Sequence, residues 1–298
     1  MKHLYLVDAS IYIFRAYFSI PESLTDADGN PANAVYGFAG FLTRFLQQSK
    51  ARYVAVAFDE SLTTSFRNEF YPDYKANREL PPPELEAQLK TCQKLTQALG
   101  LATYVSARFE ADDLIGTIAH HMRTRGFSMI IVSADKDLAQ LVSDGDIWWD
   151  FTRERRLGVA GIRDLFGVEP HQIVDLLALA GDKVDNIPGV VGIGPKTAAQ
   201  LLRHFGSLDA IYAGLEKIPK LKLRGAERVR ASLKDAEEQA YLSQRLARIA
   251  LDAPVTCSAN SLARRKPDRK RLAALCDELG FGEGMRRQLK QLQVTSRK

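Results

Sequence analysis

Nine carboxylates stand at or just after the ends of short apolar runs, and their type and spacing point to chemistry. They occur in the segments L-V-D, A-F-D, F-E-A-D-D, S-A-D-K-D and G-D-K-V-D, as Asp8, Asp59, Glu110, Asp112, Asp113, Asp135, Asp137, Asp182 and Asp185. Two bare carboxylates ~4 Å apart repel by about 4 kcal/mol at an effective dielectric constant of about 20. A cleft that gathers so many of them therefore requires cations. Oxygen-only ligation, without His or Cys, selects hard divalent ions such as Mg²⁺ or Mn²⁺.

The pattern of apolar residues predicts the elements that would bring these acids together. In the first half, short β-branched and aromatic runs alternate with helical periods, which is typical of an α/β fold with a mostly parallel central sheet flanked by helices. We expect strands over 3–8, 52–59, 102–105, 129–133 and 147–149, and helices over 35–48, 83–99 and 112–125. Because ligands bind at the carboxyl edge of such a sheet, the acids that follow three of these strands are expected to converge there.

Each acid also has an ordinary structural interpretation when it is taken alone. Asp112 and Asp113 could favour a helix N-terminus, Asp185 could cap a turn, and Asp8 or Asp59 could simply end a strand. Nothing structural, however, requires acids at the ends of three different strands. We therefore interpret the nine together as a metal-binding group.

Composition bounds the class of protein. The 298 residues allow one large or two ordinary domains, and an apolar share of 46% excludes a disordered chain. The cysteines Cys92, Cys257 and Cys276 are too few and too far apart for a disulfide framework or a CxxC metal site. No apolar run reaches the ~18 residues of a membrane span. We expect a cytoplasmic, nucleoid-associated protein with no membrane partner.

The charge distribution points to a polyanionic partner. The net charge is +5, but setting the nine acids aside leaves 27 acids against 41 basic residues. An acidic cleft in a basic shell suits nucleic acid, whose scissile phosphate would be delivered to the metals.

The second half of the chain has a different organisation. Strand signals end near residue 161, and helices are expected over 173–180, 196–204, 227–248 and 271–279. This predicts an α/β domain over 1–160 and a helical domain over 161–298, with no internal repeat. The basic run R-R-K-P-D-R-K-R over 264–271 fits a solvated surface or a contact with phosphates, and the sequence does not decide between them.

A glycine-rich segment, I-P-G-V-V-G-I-G-P-K-T, nearly spells the phosphate loop of nucleotide hydrolases. Pro195 separates the glycine from the lysine, however, and the preceding segment is helical instead of the required strand. A tight hairpin followed by a helix fits better, with free amides that could hold a phosphate. The candidate DNA-binding residues here are Gly189, Gly192, Gly194, Lys196 and Thr197; a plain structural turn is the alternative.

The order of these motifs closely resembles that of the 5′ nucleases, which include the N-terminal 5′→3′ exonuclease domain of bacterial DNA polymerase I and stand-alone flap endonucleases. The resemblance spans most of the chain. It implies a nuclease domain with a helical arch near 66–95 and a helix-three-turn-helix DNA-binding element near 170–205, which would also hold a K⁺ ion. The absence of a polymerase-sized extension leads us to expect a stand-alone protein.

The resemblance also implies roles for particular residues. Asp8, Asp59, Glu110 and Asp112 would mainly serve one metal and Asp135, Asp137, Asp182 and Asp185 the second, with Asp113 adjoining. In F-R-N-E-F-Y-P-D-Y-K-A-N-R, Lys75 and Arg67 would contact the reacting phosphate, Tyr74 and Arg78 would assist, and Arg15 is a further candidate DNA contact. Ala9 and Ala134 replace glycines found in many members, and both substitutes are small.

These observations together predict a structure-selective 5′→3′ exonuclease or 5′-flap endonuclease. Two metals ~4 Å apart would activate a water and stabilise the leaving oxygen. The partner would be duplex or branched DNA with a 5′ end or flap, or an RNA primer on DNA, bound by a monomer. One alternative is a catalytically inactive junction-binding member of the same fold. Another is a metal-dependent phosphatase, but that chemistry usually needs a second aspartate at position 10, where Ser10 stands.

Overall fold

A six-stranded sheet forms the centre of the protein, in a computed structural model that describes residues 2–60 and 64–292. The end of the predicted helical domain, 293–298, lies outside the described residues. The strands are β1 (Lys2–Asp8), β2 (Tyr53–Asp59), β3 (Ala102–Ser106), β4 (Phe127–Val132), β5 (Ile147–Asp150) and β6 (Arg155–Leu157). Their order is β3-β2-β1-β4-β5-β6, parallel except for the antiparallel β5–β6 pair. The mostly parallel α/β sheet is thus confirmed.

Helices make up most of the remaining described chain. They are α1 (Ala9–Ser19), α2 (Asn33–Ser49), α3 (Pro83–Ala98), α4 (Ala111–Arg123), α5 (Val159–Phe166), α6 (Ile173–Ala180), α7 (Pro195–Phe205), α8 (Leu208–Ala213), α9 (Ala226–Asp235), α10 (Glu237–Ala247), α11 (Ala259–Leu262), α12 (Arg269–Glu278) and α13 (Glu283–Gln291). None of the described helices is long and apolar enough to cross a membrane.

Several elements differ from the sequence prediction, among them the helices α5, α8, α11 and α13, for which no helix was expected. Helix α1 was not expected, because its β-branched and aromatic residues directly continue the apolar run of β1 and carry no clear helical period. Strand β6 was also missed, since its three residues are too short to show alternation. The single helix expected over 227–248 is divided at Ala236, which has a non-helical backbone with φ −118° and ψ 26°.

The sheet separates two apolar cores, and the alternation of side chains along a strand explains how. In β2, Ala55 and Ala57 face one core, whereas Val54, Val56 and Phe58 face the other. The first core includes residues of α4 and of the helices from α5 to α11. The second includes residues of α1, α2, α3, α12 and α13. The last two helices therefore pack on the first half of the chain, while the two-domain division stays a prediction.

Close backbone packing explains one glycine of the glycine-rich segment. Gly189 has a φ of +64°, and a Cβ added there would lie 2.6 Å from the Cα of Gly181, inside the van der Waals limit. The loop after α6 and the start of the hairpin are thus pressed together, and only glycine fits between them.

We expect Gly189→Ala to lower the free energy of unfolding by about 1–3 kcal/mol, because the new methyl group must displace backbone. Urea denaturation measures this loss. Gly194→Ala is the matched control, since its φ is −91° and nothing lies within 4 Å of the added Cβ. The control should lose less than about 1 kcal/mol, the cost of a poorer helix cap. Equal losses at the two positions would contradict this account.

Candidate active site

A cavity of about 200 Å³ lies at the carboxyl edge of the sheet. Seven of the nine predicted acids line it, together with all four residues predicted to contact or assist at the phosphate. The acids are Asp8, Asp59, Glu110, Asp112, Asp135, Asp137 and Asp185; the others are Arg67, Tyr74, Lys75 and Arg78. The strand ends therefore bring these side chains together, and Asp182 and Asp113 lie outside the lining.

The acids are held in place by hydrogen bonds from neighbouring elements. Asp8 ends β1, and the buried Ser133 after β4 donates to its Oδ2 at 2.8 Å. The same Ser133 oxygen accepts from the N–H of Asp135 at 2.9 Å, so one hydroxyl links the ends of two strands. Asp59 Oδ1 accepts from the N–H of Ala111 at 2.8 Å and fastens β2 to the first turn of α4.

Burial and mutual repulsion raise the pKa values of several of these acids. Burial, followed by the charges of Asp59 and Asp135, raises the pKa of Asp8 to about 7. Burial also raises the pKa of Asp112 and Asp137 well above the usual value, with Asp135 the first charged contributor at both. The ionised cluster is therefore unfavourable without compensating positive charge.

Protein cations compensate part of this charge. Lys75 Nζ is hydrogen-bonded to Glu110 and lies 3.7 Å from Asp185 Oδ2, and Arg78 is bonded to Asp185. Although burial acts in the opposite direction, Lys75 and Arg78 lower the pKa of Asp185. Lys136 Nζ lies 2.5 Å from Asp182 Oδ2. Neither of these two residues is part of the cavity lining.

The donor set fits divalent metal ions in its chemistry. As the side chains stand, no three His, Cys, Asp or Glu residues of the described ranges 2–60 and 64–292 are arranged to hold one ion. The lining nevertheless offers carboxylate oxygens in unusual number, and Asp137 Oδ1 is buried with no hydrogen-bond partner. A buried, unsatisfied carboxylate oxygen in an acidic cavity is a suitable ligand for a hard cation.

Asp113, predicted to adjoin the metals, lies outside the cavity lining. It is fully buried, and both of its carboxylate oxygens accept from Arg67 at 2.8 Å. Its Oδ1 also accepts from the N–H of Ala250, and its Oδ2 from the N–H of Glu110. Both carboxylate oxygens are therefore occupied by protein donors, Asp113 is the ion-pair partner of Arg67, and its place beside the metals stays a prediction.

Arg67, predicted to contact the reacting phosphate, lies in the cavity wall with its guanidinium group paired, and its contact with phosphate stays a prediction. Its five hydrogen bonds go to Glu110, twice to Asp113, and to the carbonyls of Leu246 and Arg248. A guanidinium group has five N–H donors, and in this structure all five are used within the protein. Arg67 instead ties Glu110 and α4 to the chain segment at the end of α10.

Tyr74 supports the acids through its hydroxyl. Its side chain is buried, and the hydroxyl donates to Glu110 Oε2 at 3.0 Å. Burial, reinforced by the charge of Glu110, raises its pKa well above the usual value, so the hydroxyl keeps its proton. The structure thus makes Tyr74 a residue that orients Glu110.

The predicted DNA-binding residues lie outside the acidic cavity. The glycine-rich segment forms the turn between α6 and α7, with Lys196 exposed and Thr197 half-buried in the first turn of α7. Gly192 has a φ of +86° and is exposed. Arg15 lies on α1 beside a different groove, which it shares with Arg44 of α2.

Sequence reasoning missed Ser133 and Lys136, which hold Asp8 and Asp182. Both belong to the motif S-A-D-K-D, so proximity to the acids was an available signal for them. Ser10 was also missed as a residue that holds a candidate metal ligand. Its hydroxyl accepts from the N–H of Asp59 at 3.2 Å.

Two family models match most of the chain. The 5′-3′ exonuclease N-terminal resolvase-like domain matches residues 3–167, and the 5′-3′ exonuclease C-terminal SAM fold matches residues 168–270. The chain belongs to the 5′-3′ exonuclease family. The resemblance noted from the order of motifs is thereby confirmed.

Curated relatives of this family differ in length. DNA polymerase I of Pseudomonas aeruginosa is 42% identical over 280 residues, covering 93% of this chain and 30% of that protein. The 5′-3′ exonuclease of Buchnera aphidicola is 34% identical over 283 residues, covering 95% of this chain and 98% of that protein. The chain spans about a third of the length of the DNA polymerase I relatives that it matches.

Solved structures share the fold of this exonuclease family member. T5 5′-exonuclease with bound zinc ions has a TM-score of 0.68 at 21% identity, over 98% of each chain. The catalytic core of Rad2 in complex with DNA substrate has a TM-score of 0.65 at 16% identity, over 98% of this chain and 92% of that chain. At these identities the likeness establishes the fold alone.

We expect Arg67→Met to lower the free energy of unfolding by about 3–5 kcal/mol, because it leaves Asp113 buried and unpaired. The control, Arg78→Met, removes a cation that is 37% exposed, and it should cost less than about 1 kcal/mol. Urea denaturation of both variants checks the difference. If Arg67 were held ready for a phosphate and not for Asp113, its removal would be as mild as that of Arg78.

Proposed function

We propose that this protein is a divalent-metal-dependent 5′ nuclease that hydrolyses phosphodiesters of duplex or branched DNA at a 5′ end or flap. The observation that carries the proposal is the convergence of seven carboxylates from two strand ends, three loops and the start of a helix on one cavity with basic residues in its wall. Hydrolysis of a polyanion requires this combination of metal ligands and phosphate-binding cations. Membership of the 5′-3′ exonuclease family supports the same reaction.

Two groups of acids would hold the metal ions. Asp8, Asp59, Glu110 and Asp112 form one group by their position around β1, β2 and the start of α4, and Asp135, Asp137, Asp182 and Asp185 form the other. Bound divalent ions would lower the pKa of a water nucleophile and stabilise the leaving oxygen. Mg²⁺ or Mn²⁺ suits the all-oxygen donor set, and the zinc bound to T5 5′-exonuclease supports a divalent ion in this fold.

Lys75 and Arg78 are the residues that we assign to the reacting phosphate. Both line the cavity, and Glu110 and Asp185 raise the pKa of Lys75 despite its burial, so its ammonium group stays charged at neutral pH. Their carboxylate partners are candidate metal ligands. Once those ligands hold cations, Lys75 and Arg78 are free to bind the phosphate oxygens and to neutralise the charge that develops on them.

The hairpin between α6 and α7 is the proposed grip on duplex DNA. The N-terminus of α7 follows Gly194, and Lys196 is exposed within its first turn. Backbone amides and a lysine bind phosphates without reading bases, so we propose little sequence preference. The DNA-bound Rad2 core supports a DNA substrate for this fold. The helix-three-turn-helix assignment, its K⁺ ion and the contact at Arg15 stay predictions.

The biological role that we propose is removal of 5′ flaps or RNA primers during replication and repair. Relatives named DNA polymerase I and 5′-3′ exonuclease support a role in DNA processing. A monomeric state and a cytoplasmic, nucleoid-associated location are part of the same proposal.

We expect a labelled 5′-flap duplex to be cleaved with Mg²⁺ and to stay intact with EDTA. The variant with both Asp135→Asn and Asp137→Asn should bind the flap and cleave it at least about 10³-fold more slowly, since the second metal group loses two charges. Gel analysis of products and fluorescence anisotropy of binding measure the two properties. Binding without cleavage by the unaltered protein would favour the inactive junction-binding alternative instead.

We expect Lys196→Ala to weaken duplex binding and to reduce the slope of log K against log salt concentration by about 0.9, the value for one lost phosphate contact. Anisotropy titrations at several salt concentrations measure this slope. Lys290→Ala, which removes an exposed lysine from α13, is the control and should leave the slope unchanged. If Lys196→Ala and Lys290→Ala gave the same salt-dependence slope, the DNA would bind at another surface than the start of α7.

A further inference from the structure

Two asparagines join the segment before α3 to the loop after α6 by a reciprocal pair of hydrogen bonds. The Nδ2 of Asn77 donates to the carbonyl oxygen of Lys183 at 2.7 Å. The Nδ2 of Asn186 donates in the opposite direction, to the carbonyl oxygen of Asp73 at 2.6 Å. We call this pair the asparagine clasp. The residues that it joins lie more than a hundred positions apart in the sequence.

The clasp encloses the residues that face each other across the cavity. Beside the two asparagine bonds, the N–H of Lys75 donates to the carbonyl of Asp185 at 3.1 Å, and Arg78 Nε donates to the carbonyl of Val184 at 3.4 Å. The side chains of Lys75 and Arg78 also meet the Asp185 carboxylate. Four hydrogen bonds to main-chain carbonyls therefore hold the segment that carries Lys75 and Arg78 against the loop that carries Asp185.

The backbone at the clasp is held in an uncommon conformation on both sides. Lys75 has a φ of 57° and Asn186 a φ of 55°, in the left-handed region that side chains other than Asn and Asp rarely adopt. A lysine in this conformation persists only where its surroundings impose it. The surroundings here are the bonds to Asp185 and the loop, so the clasp maintains the turn that directs Lys75.

We propose that Asn77 and Asn186 are positioning residues for the nuclease reaction. They hold the Lys75 turn against the Asp185 loop, so that the phosphate-binding lysine and an acid of the second metal group keep a fixed relation. Neither asparagine lines the cavity. This inference rests on the proposed function for its catalytic consequence, but the clasp itself can be measured without activity.

The test uses Asn77→Ala, Asn186→Gly and the double variant. Glycine at 186 keeps the left-handed backbone accessible and removes the side chain with its amide, so the variant breaks the hydrogen bond without straining the turn. Glu154→Gly is the matched control, because Glu154 is exposed, has a φ of 51° and lies in the turn between β5 and β6. Flap cleavage at saturating Mg²⁺ gives kcat and KM for each protein.

We expect each single variant to lower kcat by on the order of 10- to 100-fold, the scale of a misplaced reacting group, with KM within about twofold. The melting temperature should fall by less than about 5 °C, because the asparagines are not part of either apolar core. The double variant should be little worse than either single variant, since one broken bond already frees the turn. The Glu154 control should match the unaltered protein.

Hydrogen–deuterium exchange of the metal-free proteins provides the readout that does not depend on cleavage. The Lys75 N–H should exchange at least about tenfold faster in the variants, while amides of β1 and β4 keep their protection. Unchanged kcat, or unchanged exchange at Lys75, overturns the inference. If the unaltered protein fails to cleave, the proposed function fails by itself. The clasp is then judged by exchange alone, where faster exchange at Lys75 supports it and unchanged exchange refutes it.

Discussion

Electrostatic repulsion among buried carboxylates is the constraint on which the rest of this structure depends. Asp8, Asp112, Asp135 and Asp137 have raised pKa values because burial and neighbouring acids both oppose their ionisation. Such a cluster disperses unless the scaffold holds it. The parallel sheet does so, because both of its faces are covered by apolar cores and its strand ends cannot separate without exposing them. Stability gained in the two cores therefore offsets the strain stored at the sheet edge.

The basic side chains that offset this repulsion come from several parts of the chain. Lys75 and Arg78 precede α3, Lys136 follows β4, and Asp182 and Asp185 belong to the loop after α6. The Lys75–Asp185, Arg78–Asp185 and Lys136–Asp182 pairs thus join the first half of the chain to the second. The bonds that neutralise the acids also hold the loop after α6 against the segment before α3. Under the proposed function, metal ions at these carboxylates would release Lys75 and Arg78, so metal binding and phosphate binding would be linked.

How much of the fold and of the site could be predicted from the sequence depends on how far apart in the chain the interacting residues lie. Strand ends and their acids were predictable, because a short run of β-branched and aromatic residues reveals a buried strand and the parallel arrangement fixes its carboxyl edge. Arg67 was not, since one of its acceptors, the carbonyl of Leu246, lies 179 positions away and backbone carbonyls have no sequence signature. For the same reason, Asp113 was indistinguishable from Asp112, although α4 turns Asp112 toward the cavity and Asp113 into the core.

The contrast between these adjacent aspartates explains why a fully buried ion pair is present at all. Replacing such a pair by apolar residues is often neutral or stabilising, so Arg67 and Asp113 are not explained by stability alone. An apolar pair, however, could not orient Glu110 by hydrogen bonds. Arg67 Nη1 donates to Glu110 Oε2 at 2.9 Å, and Asp113 Oδ2 accepts from the Glu110 N–H at 3.1 Å, so Glu110 is fixed at both its side chain and its backbone. The buried pair is the support that aims a lining carboxylate into the cavity, in the same way that Ser133 aims Asp8.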